Sequence, residues 1–140
     1  MLHHELASYL ARRNAVWPWL AQPPRVTYLE PGDTAPAVLL RLVYQSPASD
    51  TEGVESASVF VMSIGNSPGG ADAMARKIER EFAPDRLPVR LEQSTVVAAE
   101  TVGRYKAAAL THGKAGSIRT LKVDFDFFRR ACADPNYEGL

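Results

Sequence analysis

The stretch Thr120-Leu121-Lys122-Val123-Asp124-Phe125-Asp126-Phe127 decides the fold. Side chains alternate along an extended chain, so Leu121, Val123, Phe125 and Phe127 fall on one face and Thr120, Lys122, Asp124 and Asp126 on the other. A strand divided in this way buries one face and shows the other to water or to a partner. Just upstream, His112-Gly113-Lys114-Ala115-Gly116 supplies two glycines for a hairpin tip, since glycine accepts the positive φ angles of tight turns. Residues 104–111 are then the expected partner strand. Residues 93–103 are β-branched but poorly patterned and receive no assignment.

The apolar face needs a cover. Ala71, Met74, Ala75, Ile78 and Phe82 recur at helical spacing, flanked by Arg76, Lys77, Arg80 and Glu81, which predicts an amphipathic helix over 71–82. Pro84 and Pro88 bracket its exit. A second stripe, Leu2, Leu6, Tyr9, Leu10 and Arg13, predicts a helix over 2–13. Pro18, between Trp17 and Trp19, ends or kinks that helix. Strands are expected over 25–30, 37–45, 55–64 and 89–92. Pro31-Gly32-Asp33 is a turn, and Ser46 to Gly53 reads as a polar loop. The order is helix, three strands, helix, then two or three strands joined by short loops. The expectation is an α+β fold, with two helices packed on one face of a mostly antiparallel sheet of about four to six strands and a protruding hairpin. Residues 1–128 form one domain, and 129–140, with Pro135, Asn136 and Gly139, read as an extended C-terminal tail.

The 140 residues suit one domain, and a chain of this size buries roughly 68–70% of its unfolded surface without needing staples. Lys plus Arg is 16 and Asp plus Glu is 16. The balance argues against a free-standing nucleic-acid binder, which usually carries a basic excess. Near-zero net charge also favours self-association. Cys132 is the one cysteine, so no intramolecular disulfide forms and a reducing compartment is expected. No apolar run reaches the ~18 residues of a membrane span, and the N-terminus lacks a signal-peptide layout. The chain reads as cytoplasmic when made, with no membrane partner.

Four constellations invite a chemical reading. Gly65-Asn66-Ser67-Pro68-Gly69 matches the G-x-S-x-G nucleophile elbow, between a strand and a helix, and Asp85 or Glu100 and then His112 follow in hydrolase order. The residue after the nucleophile must give its N–H to the oxyanion, however, and Pro68 has none. Ser67 as a helix N-cap with Pro68 in the first turn is preferred. His3, His4 and Glu5 lack chelating spacing, because adjacent helical histidines point apart. Asp124 and Asp126 share one strand face and could bind a metal or do acid–base work. Lys122 shares that face, and alternating charge on a wet strand is the simpler explanation. Cys132 needs a nearby histidine to act as a nucleophile, and nothing places His112 beside it. The expectation is that there is no catalytic residue, no metal site and no cofactor.

Arg104, Lys106, Lys114, Arg119 and Lys122 make the hairpin locally basic. It is either a solvated hairpin or an arm that docks on an acidic neighbour. Trp17 and Trp19 fit core anchors and interface anchors equally well.

The layout resembles that of the tail terminators and tail-completion proteins of long-tailed bacteriophages. The resemblance rests on the opening helix, the strand ending near Ile64, the amphipathic helix containing Ala73-Met74-Ala75-Arg76-Lys77-Ile78, and the closing strand Ile118-Arg119-Thr120-Leu121-Lys122-Val123-Asp124-Phe125. It extends to about residue 128 and leaves Trp17-Pro18-Trp19 and the tail unmatched. It implies a virion protein, assembled in the host cytoplasm, that forms a hexameric ring. The ring would sit on the head-proximal end of the tail tube. Its partners would be further copies of itself, the tail tube protein and a head-completion or connector protein. Genomic DNA would pass through without sequence-specific binding. The loop 46–53 and the hairpin tip 111–117 are the candidate contacts, and Asp50, Glu52, Arg104, Lys106, His112, Lys114, Arg129 and Arg130 are the candidate assembly residues. Competing readings are a head–tail joining protein of the same fold, a small hydrolase using Ser67 or the Asp124/Asp126 pair, and a regulatory binding module that is monomeric or dimeric.

Overall fold

A computed structural model of the chain describes residues 1–13, 20, 23–26, 35–46, 53–111 and 114–129. Helix α1 (Leu2–Arg12) buries Leu2, Leu6 and Leu10, one turn apart, together with Ala7. Burying a leucine fully stabilises by about 1.5–3 kcal/mol, so this stripe outweighs the absence of a side-chain N-cap at Met1. The backbone N–H of Leu2 donates to Gln45 Oε1 at 3.1 Å. Arg13 turns to an extended conformation and ends the helix.

The strands are β1 (Arg25–Val26), β2 (Ala37–Gln45), β3 (Val54–Gly65), β4 (Val89–Arg90), β5 (Ser94–Thr111) and β6 (Lys114–Arg129). They form one sheet in the order β1-β2-β3-β6-β5-β4. Among the described residues, the β1–β2 pair alone is parallel. Helix α2 (Pro68–Glu81) joins β3 to the second half of the sheet. A 3-10 turn (Pro84–Arg86) and β4 follow it.

The alternation expected of the last strand is present. Leu121, Val123, Phe125 and Phe127 are buried with Ala57, Val59, Val61, Val38 and Leu40 beneath α1 and α2. Phe82, just past α2, meets Phe125 edge-to-face, with ring centroids 5.2 Å apart, a geometry aromatic rings prefer. A smaller cluster of Ala37, Leu39, Ile64 and Ile118 lies on the opposite face of the sheet. The α+β architecture with two helices on one face of a mostly antiparallel sheet is therefore as expected.

Several details differ from the sequence reading. The unassigned residues 93–103 belong to β5, which runs 18 residues. Register shifts at Val96/Ala98 and Thr101/Gly103 interrupt it. Each inserts an extra residue and flips the side chains that follow, which erases the two-residue period. Helix α2 starts at Pro68, as the N-cap reading of Ser67 expects, and so three residues before the span 71–82 marked by apolar spacing, because Gly69 and Gly70 add no apolar side chain to the stripe. Strand β6 runs to Arg129, one residue past the expected domain boundary, so Arg129 is strand rather than tail. Of the strands expected over 25–30 and 89–92, Arg25–Val26 and Val89–Arg90 are strand. Residues 27–30, Trp17, Trp19 and the tail 130–140 lie outside the described residues.

Beyond the end of β3, where Gly65 pairs with Ser117, the hairpin continues through Ala109↔Gly116, Leu110↔Ala115 and Thr111↔Lys114. Three further pairs carry it about 10 Å past the sheet.

Candidate assembly surfaces

Beyond the Ala37, Leu39, Ile64 and Ile118 cluster, the sheet face away from the helices carries exposed polar side chains. On it Asp126 accepts from Ser56 Oγ at 2.8 Å, and Asp124 accepts from Ser58 Oγ. Glu100 stands directly across from Asp124 in the β5–β6 register. All three carboxylate residues are exposed. Like charges placed directly opposite destabilise a strand pair, and among the described residues no cation forms an ion pair with any of the three. Lys122 lies two positions along the same face without joining them. Phe60 meets Tyr105 edge-on at 6.1 Å, and Tyr105, Tyr44 and Phe128 are among the exposed large apolar side chains.

On the helix side, α2 covers β3 and β6 but leaves a groove beside β5. The groove encloses about 540 Å³ over a floor that includes Ile78, Phe82, Ala99, Leu121, Val123 and Phe125. Its wall is pinned by Arg104, whose guanidinium holds both oxygens of Glu79, while Thr101 Oγ1 donates to Glu79 at 2.8 Å. These bonds hold the Glu79 carboxyl below its ordinary range, the Arg104 bond being the largest cause, and raise Arg104 in turn. Asp72 pairs with Arg119 at 2.7 Å, and buried Glu81 pairs with Arg13 at 2.9 Å. Tyr9, whose hydroxyl donates to Glu81, is pushed up by burial and by that carboxylate. All three acids of α2 are thus taken by arginines from elsewhere in the chain. Arg76 and Arg80, one turn apart and both exposed, have no ion-pair partner among the described residues.

The constellations read from sequence fall as follows. Ser67 Oγ accepts from the N–H of Gly70 at 3.1 Å, with Pro68 in the first turn. That is an N-cap, as expected. The recess beside Ser67 is lined by Pro36, Gly65, Asn66, Gly70, Ala73, Met74 and Lys77, which offer no histidine or carboxylate. Glu5 uses both carboxylate oxygens on the N–H of Gln93 and on Ser94 Oγ. His3 is buried against His4, and burial first, then the neighbouring histidine charge, lowers it to about 4. Among the described residues no three His, Cys, Asp or Glu side chains are grouped to hold a metal. None of the described helices is long and apolar enough to cross a membrane.

Of the candidate assembly residues, Arg104 is tied to Glu79, and Arg129 Nε pairs with buried Glu55 at 2.8 Å. Lys106 is exposed on β5, and the backbone of Lys114 opens β6. Asp50, Glu52, His112 and Arg130 lie outside the described residues, as does Cys132. The sequence reading missed the charged groups that stand out in three dimensions, namely Arg76 and Arg80 on one side and Glu100 with the aspartates on the other. The four-residue spacing of the arginines was visible in sequence. The loss of their acidic neighbours to distant arginines was not.

No protein-family model matches this chain, and no curated protein matches it. A solved structure does. A chain of the virion of a native gene transfer agent (GTA) particle is similar over 90% of this chain and 94% of its own length, with a TM-score of 0.52 and 14% sequence identity. At that identity the likeness is one of fold.

Proposed function

We propose that this chain is a structural protein of a phage-like virion that caps the head-proximal end of a tail tube as a ring of six copies. The observation that carries the proposal is the shared fold with a virion chain of a gene transfer agent particle, nearly end to end. The order of elements, which resembles that of tail terminators, supports the finer reading. So does the β5–β6 hairpin that reaches past the sheet. On this reading the chain is not an enzyme. A cap works by covering the growing end of the tube and replacing the contact that the next ring of tube subunits would make. It needs a rigid sheet, exposed loops and a heterologous contact that closes at a fixed rotation.

The tube protein and a head connector are the proposed partners, with DNA passing through the ring. A head–tail joining protein of the same fold is the second reading, favoured by the same virion likeness. Imaging of particles made without this gene separates the two. Overlong tails lacking heads fit a terminator. Tails of normal length beside unjoined heads fit a joining protein. Finished, joined particles contradict both.

A further inference from the structure

We propose that copies of this chain dock head to tail through two surfaces on opposite sides of the sheet. The acidic patch of Glu100, Asp124 and Asp126 on one copy would meet Arg76 and Arg80, beside the α2 groove, on the next. The inference rests on the ring reading above and names the contact within it.

Each surface holds charged side chains that have no ion-pair partner among the described residues. Arg76 and Arg80 stand at i and i+4, where like charges repel, while Asp72, Glu79 and Glu81 of the same helix are bound to Arg119, Arg104 and Arg13. Glu100 and Asp124 are a directly opposed pair of like charge. The aspartates accept only serine hydroxyls among the described residues. Among the described residues, the other charged groups on this sheet face are Lys122 on the same strand and Arg41, across from Phe60. The whole chain balances at 16 basic and 16 acidic residues, so the two patches are a separation of charge rather than an excess of either sign.

The spacings agree. Four residues of helix separate Arg76 from Arg80 by about 6 Å along the axis. Two residues of strand separate Asp124 from Asp126 by about 7 Å. Two arginine–carboxylate contacts can therefore form together, and arginine suits such paired contacts. Beside the arginines lies the apolar groove floor, and next to Asp126 on the same strand face stands exposed Phe128. Each copy would thus offer charge and apolar surface side by side. Asp124 and Asp126 lie on the sheet face opposite the arginines, because they alternate with Val123 and Phe125, which pack under α2, while Glu100, across from Asp124, also borders the groove. A contact between them is heterologous, and it propagates around a closed ring.

The test uses two full-length double variants, Glu100→Lys/Asp124→Lys and Arg76→Glu/Arg80→Glu, with folding checked by circular dichroism and size read by sedimentation velocity. Reversal places like charges in contact, and the dissociation constant of the assembly should rise by about 100-fold or more in either variant alone. Equimolar mixing should restore an assembly, because each altered patch then meets one of opposite sign. If either double variant fails to fold, the milder variants Asp124→Asn and Arg80→Gln should each weaken the assembly and flatten its dependence on salt relative to wild type. A wild-type assembly that neither reversal disturbs would overturn this contact while leaving the capping proposal standing. A wild-type chain that stays monomeric at high concentration would overturn it as well. The imaging of gene-deleted particles answers the capping question independently.

Discussion

Arg104 of β5 grips Glu79 of α2 with two nitrogens of its guanidinium, one of them at 3.1 Å from Glu79 Oε1, and so ties the helical layer to β5. Among the described residues, β4 pairs only with Thr95 and Val96 of β5, so this bond steadies a strand with one free edge. The Arg104 side chain is 63% exposed, and water screens the pair.

Arg104→Gln should therefore cost only about 0.5–1 kcal/mol at neutral pH. Glu79 is held below its ordinary value, so its contribution is full above that range and is lost as pH falls through the folded value. Urea unfolding at pH 7 and at pH 3 should show the gap between wild type and variant shrinking in acid.

Gly65 closes β3 where the chain turns towards α2. A Cβ built there would lie 2.6 Å from the backbone nitrogen of Ala71, and a backbone atom cannot swing aside. Gly65→Ala should destabilise by about 1–3 kcal/mol through overpacking, read as a lower urea midpoint with an unchanged slope.

Ser67→Ala should cost about 1 kcal/mol, the usual loss when an N-cap hydroxyl is removed. Particle assembly should be unaffected, because Ser67 acts on its own helix. Loss of a hydrolytic activity with no change in stability would be the opposite result.

His3 is buried, and its Nδ1 has no hydrogen-bond partner among the described residues. Its folded value of about 4 lies below the ordinary 6.5. Between those values the unfolded chain binds a proton that the folded chain refuses, so stability falls as pH drops from 6.5 towards 4. His3→Leu should remove that part of the acid slope, as measured by thermal melts at pH 7, 6 and 5.

The two-layer fold was legible because its covering helices and its last strand keep strict periods, as in Leu2, Leu6 and Leu10 or Val123, Phe125 and Phe127. Strand β5 was half hidden, since two bulges break its alternation around Val97 and Val102. The surfaces were least legible. Arg76 and Arg80 look like ordinary flanks of an amphipathic helix until Glu79 is seen to be 25 residues away in sequence from its real partner. Likewise Glu100 joins Asp124 only through a register that no local pattern encodes. Long-range pairing decides which charges remain unanswered, and sequence spacing alone does not report it.

The capping proposal can be tested in a purified system. Tail tube subunits from the same particle are polymerised with and without this chain, and the products are viewed by electron microscopy. Tubes that stop growing at one end, each bearing a ring there, are expected. Tubes that elongate at the same rate and bear no ring would contradict it.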